Sequence, residues 1–343
     1  MLEPKVSIII LNWNGLKDTL ECIESIKKSD YLNYKIILVD NASKTNEGDI
    51  VKSRFPEIEL VQNKINLGFT GGSNVGMRYA LTHGADYVWL LNNDTVVEAN
   101  TLAELVKVAE NVPNLGLISP LIYYYATKDK IQFCGSYFDK AEAKVRNIKE
   151  ICAIDDLSGK DVCLWGTALL VSKHVVETVG YLNEKFFAYH EDMDYSLRAL
   201  SHGFINKIVP SSKIFHKHHY LDNDNLKHLP PHYIFYMIRN DFWLWKNYAI
   251  GSKISFSIRR YIAKAIRQSG YFQESLGEEY VDASLDGICN ALRNIGGSWD
   301  KRARMPFFLK SLLMMHPYFL ADLMDLNFKN IFKKILSQKK ASL

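Results

Sequence analysis

The sequence predicts an α/β protein, with a mostly parallel sheet flanked by helices and a C-terminal helical extension. Two observations support this class. Short continuous apolar runs alternate with helical patterns over the first 220 residues, and helical patterns dominate after residue 231. Continuous apolar runs are typical of parallel strands that are covered on both faces.

Four apolar runs in the first hundred residues predict strands, at Val6–Leu11, Ile36–Val39, Ile58–Val61 and Val88–Leu91. Helical patterns separate or follow them, at Leu20–Ile26, Val75–Leu81 and Leu102–Ala109. Such alternation implies right-handed crossovers, and it places ligand sites beyond the carboxyl ends of the strands.

Further strands are predicted at Leu115–Ile122, Leu164–Ser172 and Ile205–Val209, with a helix from Asp192 to Leu200. The last of these strands ends before Pro210 in this prediction. We take residues 1–95 and 96–220 as the two halves of one α/β domain. Residues 221–343 form a mainly helical, basic and amphipathic region.

Composition and charge exclude several classes of protein. Hydrophobic residues make up 48% and charged residues 23% of the chain, which is ordinary for a folded protein. The formal net charge of +4 gives no argument for a nucleic-acid partner. No apolar run approaches the ~18 residues of a membrane-spanning helix, and the first is too short for a signal peptide, so we expect a cytoplasmic protein.

The C-terminal region is basic and amphipathic. Residues 301–343 carry nine Lys or Arg against two Asp, and isoleucines recur every fourth position from Ile254 to Ile266 among basic residues. This pattern suits peripheral contact with the anionic, cytoplasmic face of a membrane. It suits an ordinary packed helix pair equally well, and the sequence leaves both open.

Polar residues follow the first two predicted strands. Asp40 ends the second strand, where an acid can accept hydrogen bonds from a pyrimidine imide or a ribose hydroxyl. An Asx turn or a helix cap is the simpler explanation for Asp40 alone. The first strand runs into Asn12 and Trp13 rather than a glycine-rich phosphate turn, which disfavours a dinucleotide-binding fingerprint.

Two further segments carry candidate ligand-binding residues. The segment from Asn66 to Gly76 includes Gly71 and Gly72 but no phosphate-loop lysine, so it fits backbone contact with a ligand or a structural turn. Asn93 and Asp94 end the fourth strand. One carboxylate suffices for Mg²⁺ or Mn²⁺ when a diphosphate supplies other oxygens, and a helix cap is the alternative.

Three acids, Glu191, Asp192 and Asp194, stand at the start of a predicted helix. Neighbouring carboxylates raise one another's pKa, whereas the amino end of a helix lowers it, and the sequence leaves the balance open. A base poised to take a proton fits this position. Helix capping, with a surface ion pair from Asp194 to Arg198, explains Asp194 better than it explains the other two acids.

A histidine cluster and one arginine complete the set. The cluster of His216, His218 and His219 after the last strand fits either a metal ligand or an exposed loop. Arg239 lies in an aromatic stretch that is expected to be mostly core, and its guanidinium could face a phosphate.

Taken in order, these segments resemble the inverting family 2 glycosyltransferases of GT-A fold, which have a Rossmann-like sheet. They are most similar to the bacterial rhamnosyltransferase-like branch. The resemblance covers about two thirds of the chain, from Val6 to about Asn240. The matching segments are Val6–Gly15, Val39–Ser43, Asn66–Gly76, Leu90–Thr95, Gly166–Arg198 and His216.

The resemblance implies a role for each candidate residue. Nucleotide-sugar binding would fall to Asn12, Trp13, Asp40, Asn66, Gly71, Gly72, Asn93 and Asp94. A divalent cation, Mg²⁺ or Mn²⁺, would be held by Asp94 and His216. Asp192 would be the general base, flanked by Glu191. The acceptor side would include Trp165, Gly166 and Arg239.

One position departs from the family pattern. Asn92 stands where the usual motif has its first acid, and a neutral amide binds a hard cation less strongly than a carboxylate does. We therefore expect modest metal affinity that depends on the bound diphosphate.

The expected activity is transfer of one sugar, with inversion, from a donor such as dTDP-rhamnose or a UDP-hexose to an acceptor hydroxyl. The acceptor would be a glycan or a lipid-linked glycan, in cell-surface polysaccharide or lipid-linked glycan assembly. The alternative is a non-catalytic nucleotide-sugar or carbohydrate-binding protein, or a membrane-docked scaffold. Glycoside hydrolysis by Glu191 and Asp192 is disfavoured, because neighbours at a helix start rarely straddle a glycosidic bond.

Overall fold

The structure is a computed structural model. It describes residues 3–324 except 141–143, 149, 152–153, 155–156, 158, 218–228, 250–253 and 300–303. The chain divides into two compact units, one of residues 1–139 and 144–222 and the other of residues 140–143 and 223–343. The first unit contains all the strands of the described residues, and the described part of the second unit is helical.

The first unit contains twelve described strands. They are β1 (Val6–Asn12), β2 (Tyr34–Asp40), β3 (Glu59–Gln62), β4 (Tyr87–Asn92), β5 (Thr95–Val97), β6 (Leu115–Tyr124), β7 (Ile131–Phe133), β8 (Ser136–Asp139), β9 (Lys144–Asn147), β10 (Val162–Cys163), β11 (Ala168–Ser172) and β12 (Ile205–His216).

The described helices fall in both units. Those of the first unit are α1 (Leu16–Ile26), α2 (Glu47–Arg54), α3 (Gly68–Thr82), α4 (Thr101–Asn111), α5 (Lys173–Val179) and α6 (Glu191–Ser201). Those of the second unit are α7 (Pro231–Tyr248), α8 (Ile254–Ser275), α9 (Glu278–Leu292), α10 (Phe307–Met315) and α11 (Pro317–Met324).

The main sheet has the strand order β3-β2-β1-β4-β11-β6-β12-β5, with β7 beside β6. Its first four strands are parallel, and Asn12 is the register partner of Asp40 while Leu11 is that of Asn92. The predicted α/β class with a mostly parallel sheet is confirmed. β11 runs antiparallel to β4, so β11 begins at the edge where β1, β2 and β4 end.

Two strand predictions need correction. Residues 164–167 lie outside the strand, with a turn at 166–167, and β11 begins only at Ala168. β12 does not end before Pro210 but continues to His216, because the pairing with β6 is irregular between Val209 and Lys213 and a proline is tolerated at such a bulge. The short β5 was not predicted, since three residues carry too little periodicity.

Helix α3 packs on β1 at unusually short distance. A β-carbon on Gly76 would lie 2.5 Å from Ile9 Cγ2, and one on Gly72 would lie 2.4 Å from Leu11 Cδ1. Because close-packed interiors do not accommodate such contacts without movement, the glycines permit this seating. The glycine-rich segment therefore lies mainly within the helix, which begins at Gly68, and contact of Gly71 and Gly72 with a nucleotide stays a prediction.

In the helical unit, α9 packs on α7 and α8, and α11 packs on α8. Within the described residues, every helix is too short or too polar to span a membrane.

Candidate active site

Asn12 lies behind Asp40 at the joined ends of β1 and β2. Asn12 Nδ2 donates to Asp40 Oδ1 at 3.2 Å and to Glu47 Oε2 at 2.9 Å. Asn12 has no exposed surface. The buried amide of Asn12 supports Asp40, and contact of Asn12 with a nucleotide base stays a prediction.

Asp40 and Trp13 stand at the same strand ends. Asp40 Oδ1 accepts a hydrogen bond from Ser43 Oγ at 2.5 Å, and Ser43 Oγ accepts one from Asn14 N at 3.0 Å. Trp13 is 54% exposed, which is unusual for so large an apolar ring. A flat exposed ring beside a hydrogen-bonding carboxylate can stack on a base and accept from its polar edge.

Asn41, which is not among the residues predicted for the site, organises the approach to α3. Its Oδ1 accepts from Leu67 N at 3.1 Å and Asn63 Nδ2 at 3.0 Å. Its Nδ2 donates to Asn66 Oδ1 at 2.9 Å and Gly68 O at 3.1 Å. Asn66 is therefore held at the end of β2, near the place predicted for the nucleotide.

Asp94 and His216 lie together where β5 pairs with β12. His216 Nε2 is 3.2 Å from Asp94 Oδ1, and His216 Nδ1 is 2.8 Å from Gln132 Oε1. Because a carboxamide oxygen can only accept, this contact keeps a proton on Nδ1 of the buried imidazole. In the neutral ring, the lone pair of Nε2 then points towards Asp94, as a metal ligand requires.

The donor set formed by Asp94 and His216 fits a divalent cation. A carboxylate oxygen and an imidazole nitrogen are both accepted by Mn²⁺, and the oxygen is also accepted by Mg²⁺. The residues that the structure describes contain no group of three or more His, Cys, Asp or Glu placed to hold a metal. The pair therefore fits a sparse site that a diphosphate and water would complete.

The cap alternative for Asp94 does not match the structure. Asn100 stands at the amino end of α4, whereas Asp94 lies in the turn between β4 and β5. In the same turn, Asn93 Nδ2 donates to Thr19 Oγ1 at 2.9 Å and so ties the turn to α1.

Asp192 faces the turn that precedes β11. Its Oδ2 accepts a hydrogen bond from Gly166 N at 2.8 Å, and its Oδ1 accepts one from Met193 N at 2.7 Å. The structure thus brings together Gly166 and Asp192, which were predicted for the acceptor side and for the base. Asp192 stays partly accessible at the amino end of α6.

Both acids of the Glu191–Asp192 pair bind a proton more tightly than usual. Burial raises the pKa of Asp192 despite the donors that hold its oxygens. Burial, followed by the charge of Asp192, raises the pKa of Glu191 well above its usual range. No described residue hydrogen-bonds Glu191 Oε2. A carboxylate of raised pKa is a stronger base, which suits proton abstraction from an alcohol.

The loop before α6 has a strained backbone. Phe187, Tyr189 and His190 have φ of 65°, 67° and 68°, a region that costs bulky residues of order 1–3 kcal/mol each. Phe187 O accepts a hydrogen bond from Thr70 N at 3.1 Å. The loop that presents the acids is therefore fastened to the first turn of α3.

Strand pairing connects the turn that holds Asp192 to the strand ends that carry the nucleotide-binding candidates. Asn92 N donates to Thr167 O at 2.9 Å, next to the pairing of Leu91 with Ala168. Gly166, which holds Asp192, is thus adjacent to the end of β4 that precedes Asp94. The candidate residues Asp40, Asp94, His216 and Asp192 consequently lie along one edge of a single sheet.

Two further residues that the sequence singled out have defined packing: Trp165, predicted for the acceptor side, and Asp194, predicted to pair with Arg198. Trp165 stacks on Phe133 with ring centroids 4.4 Å apart. Asp194 Oδ2 accepts from Arg198 Nε at 2.8 Å. Because Asp194 is buried, this predicted surface ion pair is in fact a buried one.

Arg239 lies in the helical unit and has no exposed surface. Its Nε donates to Asn240 Oδ1 at 2.9 Å, and its guanidinium carbon lies 4.9 Å from the centre of the Trp243 ring. Burial lowers the pKa of Arg239 to about 10. The structure shows it as an internal support of that unit, and its acceptor-side role stays a prediction. His218 and His219 lie outside the described residues.

Two family models match the chain. The model described as glycosyl transferase family 2 matches residues 7–159, and the one described as glycosyl transferase family group 2 matches residues 87–318. The second match covers more than half of the sequence. The chain belongs to the family 2 glycosyltransferases.

Several relatives with descriptive names are similar to it. The dTDP-rhamnosyl transferase RfbF of Shigella flexneri is 23% identical over 302 residues, which are 84% of this chain and 96% of that protein. The N-acetylglucosaminyl-diphospho-decaprenol L-rhamnosyltransferase of Mycobacterium tuberculosis is 24% identical over 62% of this chain and 76% of that protein. The low-salt glycan biosynthesis hexosyltransferase Agl10 of Haloferax volcanii is 27% identical, and the match spans 57% of this chain and only 61% of that protein.

Solved structures share the fold. Staphylococcus aureus TarS 1–349 superposes with a TM-score of 0.54 at 13% identity, covering 94% of this chain and 88% of that chain. The mannosyltransferase PcManGT from Pyrobaculum calidifontis, solved with GDP-Man and Mn²⁺, has a TM-score of 0.52 at 12% identity, covering 95% and 88%. The predicted GT-A fold and the resemblance to rhamnosyltransferase-like relatives are thereby confirmed.

Proposed function

We propose that this protein transfers a sugar, with inversion at the anomeric carbon, from a nucleoside diphosphate sugar to an acceptor hydroxyl. One observation carries the proposal. Asp192, a carboxylate of raised pKa held by Gly166 N, lies on the sheet edge that also bears Asp40 and the Asp94–His216 pair. Membership of the family indicates the class of reaction. The residues on this sheet edge offer the base, the nucleotide-binding carboxylate and the metal-binding pair that such a reaction needs.

On the donor side, Trp13 stacks on the nucleotide base and Asp40 accepts hydrogen bonds from the base or ribose. Asp94 and His216 hold a divalent cation together with the diphosphate oxygens. The cation, when bound, neutralises negative charge that develops on the leaving diphosphate. The names of the relatives from Shigella and Haloferax support dTDP-rhamnose or a hexose donor.

On the acceptor side, Asp192 takes the proton of the acceptor hydroxyl. The hydroxyl oxygen attacks the anomeric carbon on the face opposite the diphosphate, so the C–O bond to the diphosphate breaks and the configuration inverts. The hydrogen bond from Gly166 N to Oδ2 fixes the direction of the carboxylate. Glu191, buried beside it, raises the affinity of the pair for the proton.

The proposed acceptor is a glycan or a lipid-linked glycan in cell-surface polysaccharide or lipid-linked glycan assembly. The mycobacterial relative is named for a diphospho-decaprenol acceptor, which supports this class. Because nucleotide sugars are cytoplasmic metabolites, we place the reaction in the cytoplasm, at the inner face of the membrane.

Asp192→Asn tests the proposal. General-base catalysis is typically worth ~10²- to 10⁴-fold, so the variant should lose about that much kcat. Its affinity for the donor should be unchanged. The measurements are release of nucleoside diphosphate from dTDP-rhamnose and UDP-glucose with octyl N-acetylglucosaminide as acceptor, and calorimetric titration of the same donors.

The control is Asp129→Asn, which alters an exposed acid and should leave turnover unchanged. Full activity of Asp192→Asn would remove Asp192 as the base. Donor binding by the native protein without any diphosphate release would favour the non-catalytic alternative, a nucleotide-sugar-binding protein.

A further inference from the structure

One face of α3 carries a row of polar side chains that contacts the segment 179–187, which precedes α6. Thr70, Asn74 and Arg78 recur every fourth residue and therefore share this face of the helix. Thr70 Oγ1 donates a hydrogen bond to Phe187 O at 3.3 Å. Asn74, in the middle of the row, is buried.

Asn74 binds both main-chain groups of Leu182. Its Oδ1 accepts a hydrogen bond from Leu182 N at 3.0 Å, and its Nδ2 donates to Leu182 O at 2.9 Å. Nδ2 also donates to Glu184 Oε1 at 3.0 Å, and the same oxygen accepts from Arg78 Nη2 at 3.1 Å. One buried amide therefore fixes a residue that lies 108 positions away in the chain.

Helix α6 holds the same segment as well. Arg198 Nη1 donates to Val179 O and Arg198 Nη2 donates to Tyr181 O, both at 2.9 Å. Arg198 Nε donates to Asp194 Oδ2, so the guanidinium is itself anchored on α6. The segment thus links the two helices, because Asn74 binds it from α3 and Arg198 binds it from α6.

The chain between Leu182 and α6 depends on such anchors. Phe187, Tyr189 and His190 all have positive φ, and a strained backbone of this kind persists only where surrounding contacts hold it. If Leu182 were released, the strained residues could relax and the start of α6 would move. A misplacement of about 1 Å can cost about 10²-fold in rate, so a small movement of Asp192 is enough to slow transfer.

We propose that Asn74 is a positioning residue, which fixes α6 so that Asp192 meets the acceptor hydroxyl. It acts through Leu182 rather than by contact with the reacting atoms. This inference rests on the proposed function and adds a residue that the reaction requires. Among the residues that the structure describes, the side chain of Asn74 hydrogen-bonds Leu182 and Glu184 only, so the affinity for the donor should not depend on it.

Asn74→Ala tests the inference in the assay of nucleoside diphosphate release from dTDP-rhamnose and UDP-glucose. The variant should lose about 10- to 100-fold in kcat, while the KM for the donor stays within about twofold. In the Asp192→Asn background, the same change should lower the remaining turnover by less than about threefold, because no base is left to position.

Thr101→Val is the matched control. Thr101 is buried too, and its Oγ1 donates to Lys213 O, which is 112 residues away. Both variants lose a buried long-range hydrogen bond, so both should melt at a lower temperature. Only Asn74→Ala should lose kcat when the two are compared well below their melting temperatures.

Glu184→Ala provides a second variant that should fold, since the Glu184 side chain is 53% exposed. It removes one acceptor of Asn74 and the partner of Arg78. A hydrogen bond is worth about 0.5–1.5 kcal/mol net, so kcat should fall about two- to tenfold. This loss should also disappear in the Asp192→Asn background.

Turnover of Asn74→Ala equal to that of Thr101→Val would overturn the inference. So would an equal loss of kcat from Asn74→Ala, or from Glu184→Ala, in the native and the Asp192→Asn backgrounds. These results leave Asp192 as the base. Full activity of Asp192→Asn alone would instead remove the base and the inference with it, so this single variant distinguishes the two failures.

Discussion

Gln132 controls the imidazole that the proposed metal site uses. Its Oε1 lies 2.8 Å from His216 Nδ1, on the side of the ring away from Asp94. Partners of this kind fix both the tautomer and the orientation of a metal-binding histidine. The residue thus acts on the cation only through His216, and we regard it as a positioning residue.

Gln132→Ala should lower the affinity for Mn²⁺ in the presence of nucleoside diphosphate about 10- to 100-fold, because the ring loses its orienting acceptor. Gln132→Glu keeps an acceptor at that position and should retain the affinity. Electron paramagnetic resonance titration of Mn²⁺ measures both, and nitrogen NMR of the histidine ring reports the tautomer. Native affinity and an unchanged tautomer in the alanine variant would refute the assignment.

Glu191 should make the stability of the protein depend on pH. Its pKa is raised above the usual 4.5 in the folded protein, mainly by burial. Between the unfolded and folded pKa values the folded protein therefore holds more protons than the unfolded chain, so the free energy of unfolding falls as the pH rises.

Glu191→Gln removes this ionisation, so its advantage in melting temperature over the unchanged protein should grow as the pH rises through that window and then level off. Thermal unfolding from pH 4.5 to pH 9 measures it. The exposed substitution Glu150→Gln should show no such trend, and a constant difference between Glu191→Gln and the unchanged protein across the range would contradict the prediction.

Charged residues of the site were easier to predict than uncharged ones. Asp40 ends β2, Asp94 follows β4 and Asp192 lies at the start of α6, and each of these carboxylates stands out from an apolar run. Asn41 and Gln132 matter through the partners that the fold brings to them, and a neutral amide gives no sign of its partner in the sequence. The burial of Asn12 was likewise decided by α2, which brings Glu47 to it.

At the level of elements, continuous apolar runs identified β1, β2 and β4 because most of their residues are buried, on both faces of the sheet. The run that predicted β3 was weaker, and β3 is a partly exposed edge strand. The same rule gave no information on β5, which is short, or on β12 beyond Pro210. There the sheet tolerates a proline because the pairing is irregular, and irregular pairing depends on the neighbouring strand rather than on local sequence.

The seating of α3 on β1 gives a prediction for this pair of elements. Gly76→Ala should destabilise the protein by about 1–3 kcal/mol, because the new methyl group would meet branched side chains of Ile9 and Val39 in the core. Gly72→Ala should cost less, since the nearest atom ends the longer side chain of Leu11.

Denaturant unfolding measures both glycine variants. Alanine favours a helix over glycine by about 1 kcal/mol. If α3 were packed loosely on β1, both variants would therefore be more stable than the unchanged protein. Stabilisation by Gly76→Ala would therefore contradict the close packing.

For the whole molecule, the proposed donor and cation should stabilise the fold together. A ligand at 100 times its Kd adds about 2.7 kcal/mol to the free energy of unfolding. Thermal shifts with dTDP, UDP and GDP, each with and without Mn²⁺, should show one preferred nucleotide and a larger shift when the metal is present.

Asp94→Ala should abolish the part of the shift that Mn²⁺ adds, and leave most of the shift caused by nucleotide alone. The Asp129→Asn control should retain both parts. An undiminished contribution from Mn²⁺ in Asp94→Ala would place the metal elsewhere.

The lack of side chains on Gly72 and Gly76 affects the proposed active site as well as the packing of α3 on β1. The first turn of α3 is fastened through Thr70 N to Phe187 O, in the loop that carries the acids. On the proposed mechanism, the depth at which one helix rests on one strand then sets the gap between leaving group and attacking alcohol. A new sugar specificity would therefore have to arise from residues at the periphery of the site. A shift of α3 on β1 would misalign the donor and the acceptor at the same time.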